Sequence, residues 1–365
     1  MLLLIRYCRR LVFSVAVVLA LILSAFLWCF TVLRAPLIPS SANSQSATFV
    51  FVPGTSSKSL SLQLYKEGLL PHPFLFLALA TIENKATLLH AGEYRIAPGV
   101  TTAIKLLDMM AKGEVVRHSQ TIVEGWNFAQ LKASITSNPY LVHELQGLGD
   151  ADIMRKIGHE GEEPEGRFAP ETYVFSGKIS DTTILRSAYQ RMQKQLSAAW
   201  QDAHETVLSP SLRGALPKCP YEALIIASMI EKESAYSKER PRIAGVIMRR
   251  LQLGMPLQID ATVIYGLNKN LQNGAKEKLQ LTLSDLKKEM PYNTYSRLGL
   301  PPTPIAMPSK DAIFAALHPA MGEEIYYVAK GDGTHVFTRT LAEHDVARKK
   351  YYKAKVTTQP LGRDA

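Results

Sequence analysis

The pattern of apolar and polar positions divides this chain into stretches of different period. Leu11 to Leu33 is an unbroken run of uncharged, mostly apolar residues, about 35 Å long as a helix against a hydrocarbon layer of roughly 30 Å, and it predicts one membrane-spanning helix. Ala35 to Ala47 loses all periodicity and is rich in Pro and Ser, the composition of a flexible spacer that lifts the outer part of the chain off the membrane. Alternation then takes over. A short strand at Thr48 to Val52, a Pro53-Gly54 turn and a helix to Gly68 are answered by a strand at Tyr94 to Ala97, a Pro98-Gly99 turn and a helix to Gly113. A further helix is expected from Pro73 to Ile82. A third strand, turn and helix come at Thr121 to Val123, Glu124-Gly125 and Asn127 onward.

Tyr140 to Glu163 reads as a mixed helical stretch, and Glu165 to Phe175 (EGRFAPETYVF) as a turn and strand. The helical period returns at Thr182 to Asp202, with Ile184, Leu185, Ala188, Met192 and Leu196 on one face. Tyr221 to Tyr236 (YEALIIASMIEKESAY) is an almost wholly apolar helix pattern that ends in a cluster of charge. Pro220 suits its first turn, and Pro241 opens the next helix, where Ile243, Val246, Ile247, Arg250 and Leu251 share a stripe and Gly254 supplies a left-handed stop. Leu257 to Asp260 alternates as a strand would, with Gln258 and Asp260 on its polar face. Tyr292 to Pro302 (YNTYSRLGLPP) is an aromatic, amide and proline loop suited to lining a sugar cleft. The end predicts a helix from Lys310 to Leu317, a hairpin of strands turning at Gly331-Asp332-Gly333, and a basic helix ending near Lys355. The expected class is α+β, divided into a stub and anchor over 1–34, a linker over 35–47, a small module over 48–119 and a larger domain over 120–365.

Charge settles the expected compartment. Arg6, Arg9 and Arg10 precede the apolar run and Arg34 alone comes after it, so the positive-inside rule places the N-terminus in the cytoplasm and the bulk of the chain on the outer face of the cytoplasmic membrane. A cleaved signal peptide is the competing reading, but the run is long for one and Ser24-Ala25-Phe26 is a poor cleavage site. The formal net charge is +10, and no acidic residue precedes Glu67. The exported part is basic in its own right and suits anionic lipid heads or an anionic wall polymer, with no nucleic acid expected. Of the three cysteines, Cys8 and Cys29 lie at or inside the span, leaving Cys219 and no disulfide framework outside.

The candidate chemistry centres on Glu233. At helical spacing its neighbours are Ile226, Met229, Ile230 and Tyr236, whereas Glu231 shares a more polar face with Ala227, Ser228 and Ser234. Only Glu233 is expected to be buried. Desolvation and the negative end of the helix both favour the protonated carboxyl, the form general-acid chemistry requires. An ordinary solvated helix end is the bland alternative. The nine histidines show no i, i+4 ligand pair, Ser284-Asp285-Leu286-Lys287 reads as a helix cap at Ser284, and neither a phosphate loop nor a G-x-S-x-G elbow is present. No metal or cofactor is expected, and His335 is expected merely to pack on its hairpin.

The anchor together with EGRFAPETYVF, ASMIEKESAYSKERPRIAGVIMRRLQLGMPLQIDATVIYGL, YNTYSRLGLPPTPIAMPS and AALHPA resembles the endolytic murein transglycosylases, the MltG or YceG-like family. The resemblance implies a bacterial protein of the inner membrane, a LysM-like first module, and a lysozyme-like helix whose second E-K-E glutamate, here Glu233, is the catalytic acid. It further implies cleavage of glycan strands near the membrane where they are made, with peptidoglycan synthases as neighbours. Pro170-Glu171-Thr172 stands where the family has P-D-T. Gln258, Asp260, Asn293 and Tyr295 are the candidates for positioning sugar groups, with Glu165 and Glu171 completing the substrate-binding set. Two other functions stay open: a tethered wall-binding scaffold that never cuts, and a lysozyme-like muramidase using Asp260 as second carboxylate.

Overall fold

The computed structural model describes residues 2–39, 45–205, 217–269 and 280–357. The chain is a mixture of helices and short strands, and it separates into two compact units, Met1–Ser119 with Val174–Ile179 and Gln120–Tyr173 with Ser180–Ala365.

The first unit begins with α1 (Leu2–Arg34), whose Arg9–Arg34 portion is long and apolar enough to cross a membrane. Next in order are β1 (Ala47–Phe51), α2 (Ser57–Lys66), α3 (Pro73–Ile82), β2 (Gly92–Ile96) and α4 (Ala103–Lys112). β1 and β2 pair antiparallel from Ala47 opposite Ile96 to Phe51 opposite Gly92, so the two echoed strands close on each other. Their inward residues Phe49, Phe51, Tyr94 and Ile96 meet Leu60, Leu64, Phe76, Leu106 and Met110 from the helices in one core. Local signals fix the ends: Ser56 and Thr102 cap α2 and α4 through their hydroxyls, and Gly113 ends α4 at φ +67°.

The first residues of the expected spacer are held to the first unit. Leu37 N donates to Thr101 O and Gly99 N donates to Ile38 O, both at 2.9 Å, while Leu33, Leu37 and Ile38 pack on the core of the first unit. Two apolar side chains in an otherwise Pro- and Ser-rich stretch had a core to enter, and entering it ties the backbone down. Residues 40–44 of that stretch lie outside the described residues.

β3 (His118–Ile122) leads into the second unit, which contains α5 (Phe128–Thr136), β4 (Leu141–Val142) and α6 (Asp150–Ile157). β5 (Glu171–Phe175) and β6 (Ile179–Ser180) come next in the chain, at the two ends of the Val174–Ile179 stretch that belongs to the first unit. The second unit continues with the long α7 (Asp181–Glu205), α8 (Pro220–Glu233), α9 (Arg240–Gln252) and α10 (Asp260–Asn268). α11 (Leu283–Leu286), α12 (Lys310–Leu317), the hairpin β7 (Tyr326–Ala329) with β8 (His335–Thr338), and α13 (Leu341–Thr357) complete it. α8 is the central post: every residue from Ala223 to Ile230 is buried, against α7, α9, α10 and α12.

Two local expectations are corrected. Leu257 to Asp260 is no strand: Gln258 takes φ +55°, Asp260 opens α10, and the segment is held by Gln258 N and Ile259 N donating to the carbonyl and hydroxyl oxygens of Thr294. Its alternation is real in burial alone, since Leu257 and Ile259 face inward and Gln258 and Asp260 outward. The cap of α11 is Thr282, which forms a reciprocal capping box with Asp285, and Ser284 lies inside the helix.

Candidate active site

Glu233 is the last residue of α8, and the chain leaves the helix at Ser234 with extended dihedrals of −139° and 122°. That exit brings a carboxylate from an otherwise buried helix to the edge of open space. A cavity of about 600 Å³ is lined by Glu233, Gln258, Asp260, Tyr295, Tyr327 and His335 among others. A second of about 320 Å³ is lined by Asn127, Gln130, Lys232 and Asn268, and it shares Glu233 and Asp260 with the first. The two carboxylates are therefore shared by both lobes.

The surroundings of Glu233 are specific. Tyr327 on β7 donates its hydroxyl to Glu233 Oε2 at 2.8 Å. His335 on β8 stands edge-on to the Tyr327 ring, 5.5 Å between centroids, and is itself held by Glu239, whose carboxylate accepts from His335 N and lies 2.8 Å from Nδ1. Burial pushes the Glu233 carboxyl above the ordinary carboxylate range; the Tyr327 hydrogen bond pulls part of the way back, the Asp260 charge adds to the rise, and His335 opposes it. Asp260 accepts from Tyr295 at 2.5 Å. Arg250 binds the walls together, donating to Ile325 O on one side and to Pro256 O, Leu257 O and Gln258 Oε1 on the other.

Of the expected site residues, the fold brings Glu233, Gln258, Asp260 and Tyr295 to one cavity. Asn293 is fully buried, and its side-chain amide donates to Leu286 O and Lys288 O while its oxygen accepts from Tyr295 N, so it shapes the loop that presents Tyr295. Glu165 is buried too, its oxygens accepting from Phe128 N and the Tyr265 hydroxyl. Burial pushes its carboxyl up to about 7 against the pull of those hydrogen bonds. Glu171 lies on β5, ion-paired with Arg191. Neither glutamate lines the two lobes. His335 does more than pack on its hairpin, because it faces the cavity and backs Tyr327. Sequence reasoning misses Tyr327, His335 and Arg250 as site residues. The sequence trace of Tyr327 is the pair of tyrosines 326 and 327 just before the Gly331-Asp332-Gly333 turn, a signal any hairpin can give, and that of Arg250 is a charge on an apolar helix stripe.

Glu231 departs from expectation as well. Its side chain is only 6% exposed, with Oε1 2.7 Å from Arg240 Nη2 and Oε2 accepting from Ser309 N at 2.9 Å and Ser309 Oγ at 2.5 Å. The polar face of α8 is internal, because the middle of the helix is buried all round: Ser228 on the same face is wholly buried and accepts from Ile305 N.

Fold and site together define a mixed helix-and-strand protein with a two-lobed cleft built round one shielded carboxyl group. Residues 49–350 match the YceG-like family, and the chain belongs to that family. It is 36% identical over 191 residues to the endolytic murein transglycosylase of Bacillus subtilis (strain 168), a match over 52% of this chain and 49% of that protein. The endolytic murein transglycosylase of Streptococcus pneumoniae serotype 2 is 27% identical over 93% of this chain and 64% of its own. The chain thus spans about half to two thirds of the length of these relatives. A crystal structure of a yceG-like protein from Listeria monocytogenes, at 24% identity and a TM-score of 0.51, shares the fold over 82% of this chain and 98% of its own.

Proposed function

We propose that this chain is a membrane-anchored lytic transglycosylase that cuts the β-1,4 bond between N-acetylmuramic acid and N-acetylglucosamine within peptidoglycan strands. The observation that carries this reading is the single shielded acid, Glu233, at the junction of two lobes, with a tyrosine fixing one of its oxygens. α1 is read as the uncleaved anchor with its N-terminus in the cytoplasm, residues 48–119 as a LysM-like module, and 120–365 as the catalytic domain on the outer face. Strand-building synthases are its natural neighbours.

The reaction needs one group used twice. Glu233 protonates the bridging oxygen as its bond to C1 of the muramyl residue breaks. Now ionised, Glu233 takes the proton from the muramyl O6 as O6 bonds to the same C1, so the cut end closes as a 1,6-anhydro ring and the acid is regenerated. The attacking hydroxyl belongs to the sugar, which supplies the high effective concentration of an intramolecular nucleophile. Tyr327 holds Oε2, leaving Oε1 as the oxygen that carries the proton. Asp260, which accepts from Tyr295, is assigned to face the positive charge that develops at the sugar ring. Because Asp260 lines the same lobes, a water-using hydrolase is the second reading. Product ends decide between them. Incubation of the chain with peptidoglycan and mass spectrometry of the fragments is expected to give anhydro ends; reducing ends mean a hydrolase, and intact strands mean a binding protein.

A Tyr327→Phe variant tests the proton-holding geometry. The hydroxyl favours ionised Glu233, so its loss raises that carboxyl further. Activity that needs the protonated acid is lost as pH rises through this pKa, hence the alkaline limb is expected to move to higher pH. The maximal rate is expected to fall about tenfold, the worth of one such hydrogen bond. An unmoved pH profile contradicts the role given to Tyr327.

A further inference from the structure

The first unit carries an apolar surface its own core does not use. Helix α3 (PFLFLALATI) contains no charged residue. Phe76 and Ala80 are buried in the core, whereas Phe74, Ala78 and Ile82, spaced four apart, form an outward stripe. Phe74 is 76% exposed and Ile82 79%. An open apolar stripe of this kind marks a surface made to be covered.

Its position says by what. The ring of Trp28 in α1 lies edge-on to that of His72, the residue before α3, at 5.1 Å between centroids. Leu33 of α1 packs against the core of the unit, and the chain that leaves α1 is bonded to it at once through Leu37 and Ile38. Trp28 lies less than two turns from Arg34, where the apolar run ends, the depth at which tryptophan collects at membrane–water boundaries. Phe74 comes two residues after His72, at the start of α3.

We propose that α3 is an interfacial element whose Phe74–Ala78–Ile82 stripe is covered by the lipid surrounding α1, at the boundary of headgroups and acyl chains. This rests on the reading of α1 as a membrane span. The occupant is lipid because α3 packs beside the end of that span, with His72 on Trp28, and the stripe carries no charge to specify a protein partner. The first unit is thereby held at the membrane by two contacts and keeps one orientation to the bilayer.

The test uses the full chain in nanodiscs of phosphatidylethanolamine and phosphatidylglycerol, with Cys8, Cys29 and Cys219 changed to serine. A polarity-sensitive fluorophore is attached to Phe74→Cys or Ile82→Cys. Leu283→Cys, a position 81% exposed in the second unit, is the reference. Blue-shifted emission at 74 and 82, quenched strongly by a lipid carrying a nitroxide near its headgroup and not at 283, is the expected result. If the chain resists alkaline carbonate extraction and the label at 74 behaves as at 283, the interfacial proposal is overturned and the anchor stands. If extraction releases the chain, the anchor reading falls and the proposal with it. A blue shift seen only in discs with two chains, untouched by the nitroxide lipid, assigns the stripe to a second copy and also overturns the proposal.

Discussion

A Glu233→Gln variant is expected to lose glycan cleavage by at least roughly 10²- to 10⁴-fold, the contribution typical of a general acid, while folding normally and still adsorbing to peptidoglycan. Glutamine matches the shape of glutamic acid, and its side-chain oxygen can accept from Tyr327 as Glu233 Oε2 does at 2.8 Å. What it lacks is a transferable proton. Stability should move the other way. Burial raises the Glu233 carboxyl in the folded state, so ionising it works against the fold: the native chain loses stability as pH rises from the ordinary carboxylate range through the raised value. A glutamine in its place carries no such penalty. At pH 8 the variant should melt no lower than the native chain, and the difference should shrink toward pH 4. Muropeptide analysis, cosedimentation with cell-wall sacculi and melting curves at both pH values read the three effects separately. Digestion at the native rate by the variant removes Glu233 from the chemistry. Loss of digestion with a lowered melting point at pH 8 makes Glu233 a structural residue.

That glutamate is legible in the sequence because two local patterns meet on it, a helical apolar stripe and its abrupt end in charge. Both belong to one stretch of chain, and so do the two echoed strands, each marked by its own alternation and turn; that they pair with each other, antiparallel, is a contact across some 45 residues that neither stretch announces. The partner that holds the acid is not legible in the same way. Tyr327 comes from a hairpin 94 residues downstream, and nothing local to YYVA says which face of the hairpin will turn toward α8. Gln258 and Asp260 show the intermediate case. Their outward direction can be read from inward Leu257 and Ile259, but the backbone that produces it cannot, since its shape comes from Thr294 gripping two amides from a distant loop. Asn293 and Glu165 mark the limit of composition. An amide in an aromatic loop, or an acid beside a turn, suits a sugar; here each finds its partners in the protein, Leu286 O and Lys288 O for one, Phe128 N and Tyr265 for the other.

Two residues before Glu233, a Glu231→Ala variant is expected to lose activity for an entirely different reason. Removing one member of a buried ion pair leaves the other charge uncompensated, at about 3–5 kcal/mol. Among the described residues, Arg240 would remain at 5% exposure with only Ser234 O and Ser309 Oγ as acceptors, and Ser309 N at the start of α12 would lose its carboxylate. For a unit of this size that loss corresponds to roughly 10 °C in melting temperature. Glu231→Gln keeps an acceptor and should fall by less; exchange of both Glu231 and Arg240 for methionine should recover much of the loss, because it removes the stranded charge. The same contacts tie the end of α8 to the starts of α9 and α12, so loosening them also loosens Glu233. The two glutamates then separate cleanly under an osmolyte such as trimethylamine oxide, which strengthens the compact state. It should restore part of the cleavage lost by Glu231→Ala and none of that lost by Glu233→Gln. If Glu231→Ala melts with the native chain, the buried pair does not hold this corner of the fold. If the osmolyte rescues both variants equally, the division between a structural and a chemical glutamate is wrong.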